Sequence, residues 1–74
     1  MWKTGSIKAG SSIIHFCIKV FEERSQYGID QGRISKLTLK RDDKIIANFD
    51  RGWDVEPVDL DAEIAVAILL KEHS

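Results

Sequence analysis

The densest group of residues suited to molecular recognition lies in the stretch FDRGWDVEP, residues 49–57. Arg51 offers a planar fork of donors for a carboxylate or phosphate, and Trp53 offers a flat surface for stacking. Asp54 and Glu56 would add polar contacts at the rim. Because Trp and Arg anchor protein interfaces more often than other residues, we predict a binding surface here. The structural alternative is that Trp53 covers the end of the core and Arg51 pairs with a nearby carboxylate to fix the turn.

A second candidate is the loop YGIDQGR, residues 27–33, which carries an aromatic side chain, Tyr27, and a cation, Arg33. Its two glycines match no phosphate-binding motif, and we expect them to supply backbone angles that other residues resist. The alternative is a glycine-bent loop that Tyr27 pins to the surface. If this loop meets the 50–56 junction, one aromatic and basic patch would contain Tyr27, Arg33, Arg51 and Trp53.

The histidines and the cysteine do not form a catalytic pattern. His15 and Cys17 are two residues apart, so they would share one face of a strand, but a half-buried face with a histidine and a small apolar residue is the commoner arrangement. No nucleophile elbow accompanies any Ser, His and Asp set, and the acidic residues lack the spacing of a calcium-binding EF-hand. We therefore predict no enzyme activity, no cofactor and no metal site.

The charges are divided unevenly along the chain. Residues 1–49 hold nine Lys and Arg against five Asp and Glu, a net of +4, and residues 50–74 hold two against seven, a net of −5. Lys36 and Lys40 could follow a phosphate backbone, but no aromatic residues are interleaved with them, so we do not expect nucleic acid as a partner. The acidic half could imitate a row of phosphates; its alternative role is helix capping and solubility.

Apolar periodicity predicts the elements that must position these groups. Strands are expected at about residues 3–8, 12–21, 33–41 and 44–50. Asp59 is a good N-cap for a helix over about 59–72. The apolar residues at helical spacing are Leu60, Ile64, Ala67 and Ile68, with Val66, Leu69 and Leu70 widening the stripe. The fold class is then α+β: a four-stranded antiparallel β-meander with one C-terminal α-helix packed on one face.

The size of the chain limits what this fold can bury. Its 74 residues allow one small domain, residues 1–74, with a modest core, and a homodimer would add burial. The single cysteine excludes an internal disulfide, and the longest apolar run, IAVAILL, is far shorter than the ~20 residues of a membrane span. With a polar start and no secretory signal, we expect a cytoplasmic protein that does not engage a membrane.

Two segments together carry a family resemblance. YGIDQGRISKLTL followed by ANFDRGWDVEP and a short apolar helix resembles a family of small uncharacterised proteins of low-GC Gram-positive bacteria, their prophages and phages. The pattern of that family is YGI-x-GGRISKL and then DRGWD-x-EP, so Gln31 stands where a glycine is usual. The resemblance implies no known activity. It implies a phage or prophage setting, in which small proteins without catalytic motifs commonly act by stoichiometric binding to a host protein.

We therefore expect a non-enzymatic binding protein that inhibits a host factor, such as a CRISPR effector or another anti-phage defence protein. Tyr27, Arg33, Arg51 and Trp53 are the predicted anchors, and Asp54 and Glu56 the predicted rim. One alternative is a sponge for a small nucleotide signal, held between Arg and aromatic side chains. The other is a structural accessory protein without a ligand site.

Overall fold

A computed structural model describes all residues, 1–74, as a five-stranded sheet and one helix. The elements in chain order are β1 (Trp2–Ala9), β2 (Ser12–Val20), a 3-10 turn (Ile29–Gln31), β3 (Ile34–Arg41), β4 (Lys44–Asp50), β5 (Trp53–Val55) and α1 (Leu60–Glu72). Neighbouring strands pair antiparallel in the order β1-β2-β3-β4-β5. The predicted α+β class, antiparallel meander and C-terminal helix are confirmed.

The number of strands was predicted wrongly, because the sheet has a fifth strand inside the 50–56 junction. In β5, Trp53 pairs with Phe49 and Val55 pairs with Asn48, and a register shift leaves Asp54 as an extra residue between them. A strand of three residues is too short to show an alternating pattern, and its bulge interrupts what alternation there is. The segment therefore had no periodic signal from which a strand could be predicted.

Alternation along β2 assigns the two faces of the sheet. Ile14 and Ile18 are buried on the inner face, toward α1, whereas His15, Cys17 and Lys19 point to the outer face. The cross-strand register extends these faces over the whole sheet. The fifteen buried apolar residues form one core between the inner face and the helix.

Two tight turns fix the register of the hairpins at one end of the strands. Gly10, in the β1–β2 turn, has φ +60°, a conformation that favours glycine. Asp42 and Asp43, in the β3–β4 turn, have φ +53° and +63°, as in the mirror-image turns that match the twist of a hairpin. The second turn joins the two strands that were predicted at about residues 33–41 and 44–50.

The helix begins as predicted, but its core-facing residues match the predicted apolar stripe only in part, at Val66 and Leu69. The Asp59 carboxylate accepts a hydrogen bond from the backbone N–H of Ala62 at 2.9 Å, which confirms the N-cap. The buried residues of α1 are Ala62, Ala65, Val66 and Leu69. Of the residues predicted to face the core, Leu60 is 67% and Ile64 36% exposed. Small alanines let the helix axis approach the sheet closely, so this face is the one that packs.

No helix of the protein combines the length and apolar character needed to cross a membrane.

The glycines of the 22–32 loop also act differently from the prediction. Gly28 and Gly32 have φ −78° and −98°, which other residues adopt easily. The backbone instead passes so close that a Cβ on Gly28 would collide with the carbonyl oxygen of Gly32. The left-handed backbone of this loop belongs to Asp30 and Gln31, at φ +51° and +58°.

Candidate functional site

The outer face carries an open groove at the end of the sheet where β2 and β4 finish and β3 begins. It encloses about 350 Å³ and is lined by Lys19, Phe21, Ser25, Tyr27, Ser35, Lys36, Asp50 and Arg51. We call these residues the corner groove. It brings together Tyr27 and Arg51, which are 24 positions apart and come from the two segments predicted as sites. The 27–33 loop and the 50–56 junction therefore do meet in space.

Lys19 lies close to two aromatic rings, one of them (Phe21) in the corner groove and the other (Trp2) beside it. The Lys19 ammonium lies 5.6 Å from the centre of the Phe21 ring and 5.9 Å from the centre of the Trp2 ring. Trp2, Phe21 and Tyr27 are 56%, 42% and 61% exposed. Each ring is large enough to bury substantial area on a partner, and the cation–π contacts hold the first two rings near Lys19.

The cations of the corner groove differ in how they are neutralised. The Lys36 ammonium lies 3.8 Å from the Asp50 carboxylate, and both side chains are about half exposed, so this pair contributes little to stability. Arg51 is exposed and makes no ion pair or side-chain hydrogen bond. Its fork of donors is therefore free for a carboxylate or phosphate of another molecule.

The backbone at Arg51 is strained in a way that presents this side chain. Arg51 has φ +62°, and the N–H of Asp50 donates to the carbonyl oxygen of Gly52 at 2.9 Å, which closes a tight turn around it. The left-handed region costs a residue with a Cβ roughly 1 kcal/mol or more. The strain falls on Arg51 although the next residue is a glycine.

Tyr27 is exposed, but its backbone is held in place. Its N–H donates to the Ser25 hydroxyl at 3.1 Å, the N–H of Gly28 donates to the Ser25 carbonyl at 3.0 Å, and the N–H of Ser25 donates to the Gly32 carbonyl at 3.0 Å. A fixed backbone lowers the entropy that the loop would lose on binding a partner. The close approach of Gly28 to Gly32 is what permits this compact loop.

Trp53 lies on the other face of the sheet from the corner groove. It is half-buried, packs against the core and meets Phe49 edge-to-face, with ring centres 5.1 Å apart. Trp53 thus covers one end of the core and does not line the corner groove.

Arg33 is likewise outside the corner groove. Its Nε donates to the carbonyl oxygen of Phe21 at 2.8 Å, and the Phe21 N–H donates to the Arg33 carbonyl at 2.9 Å. Arg33 therefore fixes the two ends of the 22–32 loop to one another. It lines a separate cleft of about 230 Å³ beside the C-terminal end of α1.

The two predicted rim residues, Asp54 and Glu56, have different environments. Asp54 accepts a hydrogen bond from the Asn48 side-chain amide at 3.2 Å, and Asn48 in turn accepts one from the Thr38 hydroxyl at 2.9 Å. Glu56 is exposed and makes no side-chain hydrogen bond or ion pair. Neither residue lines the corner groove, so the predicted set of six is divided over several surfaces, and only Tyr27 and Arg51 share one.

The opposite end of the strands carries a polar network that joins the sheet to α1. Arg41 donates to the Asp59 carboxylate at 2.6 Å and to the Ser12 hydroxyl at 3.0 Å, and that hydroxyl donates to the Asp61 carboxylate at 2.7 Å. We call Ser12, Arg41, Asp59 and Asp61 the helix clamp. Gly10 lies against it, because a Cβ there would collide with the Asp61 carboxylate.

The helix clamp shifts the protonation of its own members. The hydrogen bond from Arg41 holds the pKa of Asp59 below its ordinary value, and the N–H of Ala62 adds to the effect. The same bond, against a smaller opposing effect of burial, raises the pKa of Arg41. Both shifts favour the charged pair, which is what a structural contact requires.

The remaining chemistry-bearing side chains are the two histidines and the cysteine. His15 accepts or donates a hydrogen bond with the Ser6 hydroxyl at 2.9 Å, and His73 bonds the carbonyl oxygen of Leu69 at 2.8 Å, so the two rings serve local structure. Cys17 is a free, half-buried thiol. No group of three or more His, Cys, Asp or Glu converges as metal ligands would.

Sequence reasoning missed Phe21 and Lys19 as residues that share the corner groove with Tyr27, and Trp2 as a neighbour of Lys19. The alternation of β2 already puts Lys19 and Phe21 on one face, and this signal was available. The place of Trp2 beside Lys19 depends on the β1–β2 register, which the position of the Gly10 turn determines.

Comparison with known families places the whole chain, residues 1–74, in the domain of unknown function DUF7678. The chain belongs to this uncharacterised family, while the phage setting and the sequence pattern inferred from the resemblance remain predictions. No curated protein and no solved structure matches the chain.

Proposed function

We propose that the protein acts without catalysis, by stoichiometric binding of a protein partner through the corner groove. The observation that carries the proposal is the meeting of exposed Tyr27 and Phe21 with an unpaired Arg51 in one surface depression. Tyr, Trp and Arg contribute most of the binding energy in protein interfaces, and they do so from clusters of this kind. Trp2 and Lys19 extend the same surface.

The shape of the corner groove favours a macromolecule over a small ligand. Small-molecule sites are concave, mostly apolar and enclose most of their ligand. The corner groove is open, and six of its eight lining residues are polar or charged. A protein can cover such a surface with a carboxylate against Arg51 and apolar groups on the rings.

The proposed partner is a host protein, and the proposed outcome is its inhibition. The resemblance to small phage and prophage proteins suggests a defence component such as a CRISPR effector, active in the cytoplasm of the host. A carboxylate-bearing surface of the partner would complement the cations Lys19, Lys36 and Arg51.

The test compares matched charge reversals at the two ends of the strands. Purified wild-type protein, Arg51→Glu and Lys44→Glu are immobilised and incubated with host lysate, and captured proteins are quantified by mass spectrometry. Lys44 is exposed at the start of β4, at the opposite end of the strands from the corner groove. A partner retained by wild type and Lys44→Glu but lost by Arg51→Glu supports the proposal. Equal capture by all three variants contradicts it.

The inhibitory role has its own assay. DNA cleavage by a purified CRISPR nuclease is measured while the protein is titrated from below to above the nuclease concentration. Inhibition that saturates at a fixed molar ratio and is lost in Arg51→Glu supports this class of partner. Unchanged cleavage at about a tenfold molar excess of the protein over the nuclease rules out this nuclease as the partner. The binding proposal is then decided by the capture experiment.

The second candidate function is capture of a small nucleotide signal. It is favoured by one observation, namely that Tyr27 could stack on a base while Lys19, Lys36 and Arg51 meet its phosphates. Thermal shift with a panel of cyclic nucleotides tests it. A rise in Tm that Arg51→Glu abolishes would support this alternative, and no rise at millimolar nucleotide would dismiss it.

A further inference from the structure

The helix α1 is apolar on two opposite sides. Its inner side, centred on Ala65 and Leu69, is buried against the sheet. Its outer side exposes Leu60, which is 67% accessible, and Ile64, which is 36% accessible, and Val58 just before the helix is 57% accessible. A surface helix normally turns charged residues to solvent on that side. An apolar outer side therefore points to a second contact.

The outer side has the spacing of a helix-pairing seam. Leu60, Ile64, Ala67 and Lys71 follow one another at intervals of four, three and four residues, which places them in one line along a helix. This is the same spacing by which apolar residues mesh between paired helices. The line runs almost the full length of α1, which is about 20 Å for thirteen residues.

The charges beside this seam are complementary to those of a second copy that runs in the opposite direction. The first turns of α1 are acidic, with Glu63 exposed beside the seam, and Lys71 lies on the seam in the last turn. Two helices side by side in the same direction would place like charges together. An antiparallel pair brings each Lys71 to the acidic first turns of the other copy and aligns the helix dipoles favourably.

The side-chain volumes are complementary in the same arrangement. With the two-fold axis between Ile64 and Ala67, the large Ile64 of each copy faces the small Ala67 of the other. At the ends, the aliphatic stem of Lys71 lies over Leu60 of the other copy while its ammonium stays in water. A two-fold pair uses one patch twice, so each matched contact occurs in duplicate.

We infer that the protein forms an antiparallel homodimer through the outer side of α1, with Leu60, Ile64, Ala67 and Lys71 at its centre. One helix face is smaller than a standard protein interface, so the dissociation constant falls on the order of 10–100 µM. The helix covers the inner face of the sheet, and the corner groove lies on the outer face. Dimerisation leaves both grooves free and makes the protein bivalent, so a dimeric or surface-bound partner is held with avidity.

Sedimentation equilibrium of the full chain over about 5–500 µM tests this inference, since dimer content follows mass action. Wild type moves from the 8.4 kDa mass of one chain toward twice that value. Ile64→Glu raises the dissociation constant at least about 100-fold, because the charge enters the interface twice. Ile45→Glu, at an outer-face residue that is 49% exposed, leaves it unchanged. Far-UV circular dichroism of each variant verifies the fold.

A charge exchange tests the direction of pairing. Glu63→Lys and Lys71→Glu each weaken the dimer severalfold, and the double exchange restores the wild-type dissociation constant within about twofold. A wild-type chain that stays monomeric at all concentrations overturns the inference, as does an Ile64→Glu variant that dimerises like wild type. If the double variant has a dissociation constant as high as that of the weaker-binding single variant, the antiparallel arrangement is overturned. These outcomes are independent of the capture experiment, because the corner groove is on the other face.

Discussion

The two ends of the strands carry the same kinds of side chain in opposite states. At one end, Arg41 is bound to a carboxylate and a hydroxyl within the helix clamp. At the other end, Arg51 makes no ion pair or side-chain hydrogen bond and protrudes from a strained turn beside exposed aromatic rings. The structural Arg41 and the proposed recognition residue Arg51 therefore differ in what surrounds them, not in residue type.

The comparison indicates which end of the strands contributes more to the stability of this small domain. The helix clamp joins the β1–β2 turn, the end of β3 and the start of α1, so three distant segments depend on one arginine. At the corner groove, hydrogen bonds hold each of the two loops separately, and the Tyr27 and Arg51 side chains make no hydrogen bond or ion pair. Changes at the first end should alter folding, and changes at the second should alter binding alone.

The largest effect on stability is expected from Gly10→Ala. Alanine at φ +60° is strained, and its Cβ would displace Asp61 from the Ser12 hydroxyl. The strain and the lost hydrogen bond together cost about 2 kcal/mol. Thermal unfolding should show a Tm lower by roughly 10 °C. Gly52→Ala is the control at the groove end, where a Cβ meets nothing, and an equal fall in both variants would contradict the account.

A smaller loss is expected from Arg41→Ala, and almost none from Arg51→Ala. Removing Arg41 breaks its bonds to Asp59 and Ser12 and leaves only the Ser12–Asp61 hydrogen bond in the helix clamp between sheet and helix. Removing the Arg51 side chain breaks no hydrogen bond or ion pair within the protein. Tm should fall clearly in the first variant and stay within about 2 °C in the second. Equal stability of the two variants would mean that the helix clamp does not hold α1.

Acid should weaken the clamped end selectively. The pKa of Asp59 is lowered in the folded protein from its ordinary value of 3.8. The ionised carboxylate therefore stabilises the folded protein fully above pH 3.8, and this contribution is lost as the pH falls through the lower pKa of the folded state. In Arg41→Ala the main cause of the lowered pKa is gone. Chemical denaturation at several pH values between about 2 and 6 should show a shallower loss of stability in the variant than in wild type.

The smallest effect is a gain, expected from Gln31→Gly in the cleft beside the C-terminal end of α1. Gln31 has φ +58° at a position where the resembling family usually has glycine. Glycine adopts this left-handed backbone without strain, but it also has greater freedom in the unfolded chain, which offsets part of the benefit. The free energy of unfolding should therefore rise by up to about 0.5 kcal/mol. Gln26→Gly, at an exposed residue of the same loop without positive φ, is the control and should not stabilise.

Strands with clear alternation could be predicted from the sequence, and elements without it could not. Four of the five strands were predicted at close to their observed positions, β1 to β4, with β2 the clearest from its alternation. β5 was not predicted, because three residues around a bulge are too few to show an alternation of apolar and polar side chains. The core face of α1 was predicted only in part, since Val66 and Leu69 are buried as expected but Leu60 and Ile64 are exposed. Both sides of the helix have apolar residues at helical spacing, and only the approach of the helix to the sheet selects between them.

The candidate site was predictable in its segments but not in its members. The sequence placed the recognition residues in two loops, and the structure brings those loops together through Tyr27 and Arg51. Trp53 and Arg33 were included on residue type alone. The β4–β5 pairing turns the first toward the core, and the bond to Phe21 holds the second within its loop.

The central claim is that the protein contacts its partner through the corner groove, and site-specific photocrosslinking in the host cell tests it directly. Tyr27→p-benzoylphenylalanine places the crosslinker in the corner groove, and Ile45→p-benzoylphenylalanine places it on the same face at the clamped end. The account predicts a discrete heavier adduct from position 27, identified by mass spectrometry, and none from position 45. No adduct from position 27, or the same adduct from both positions, would contradict it.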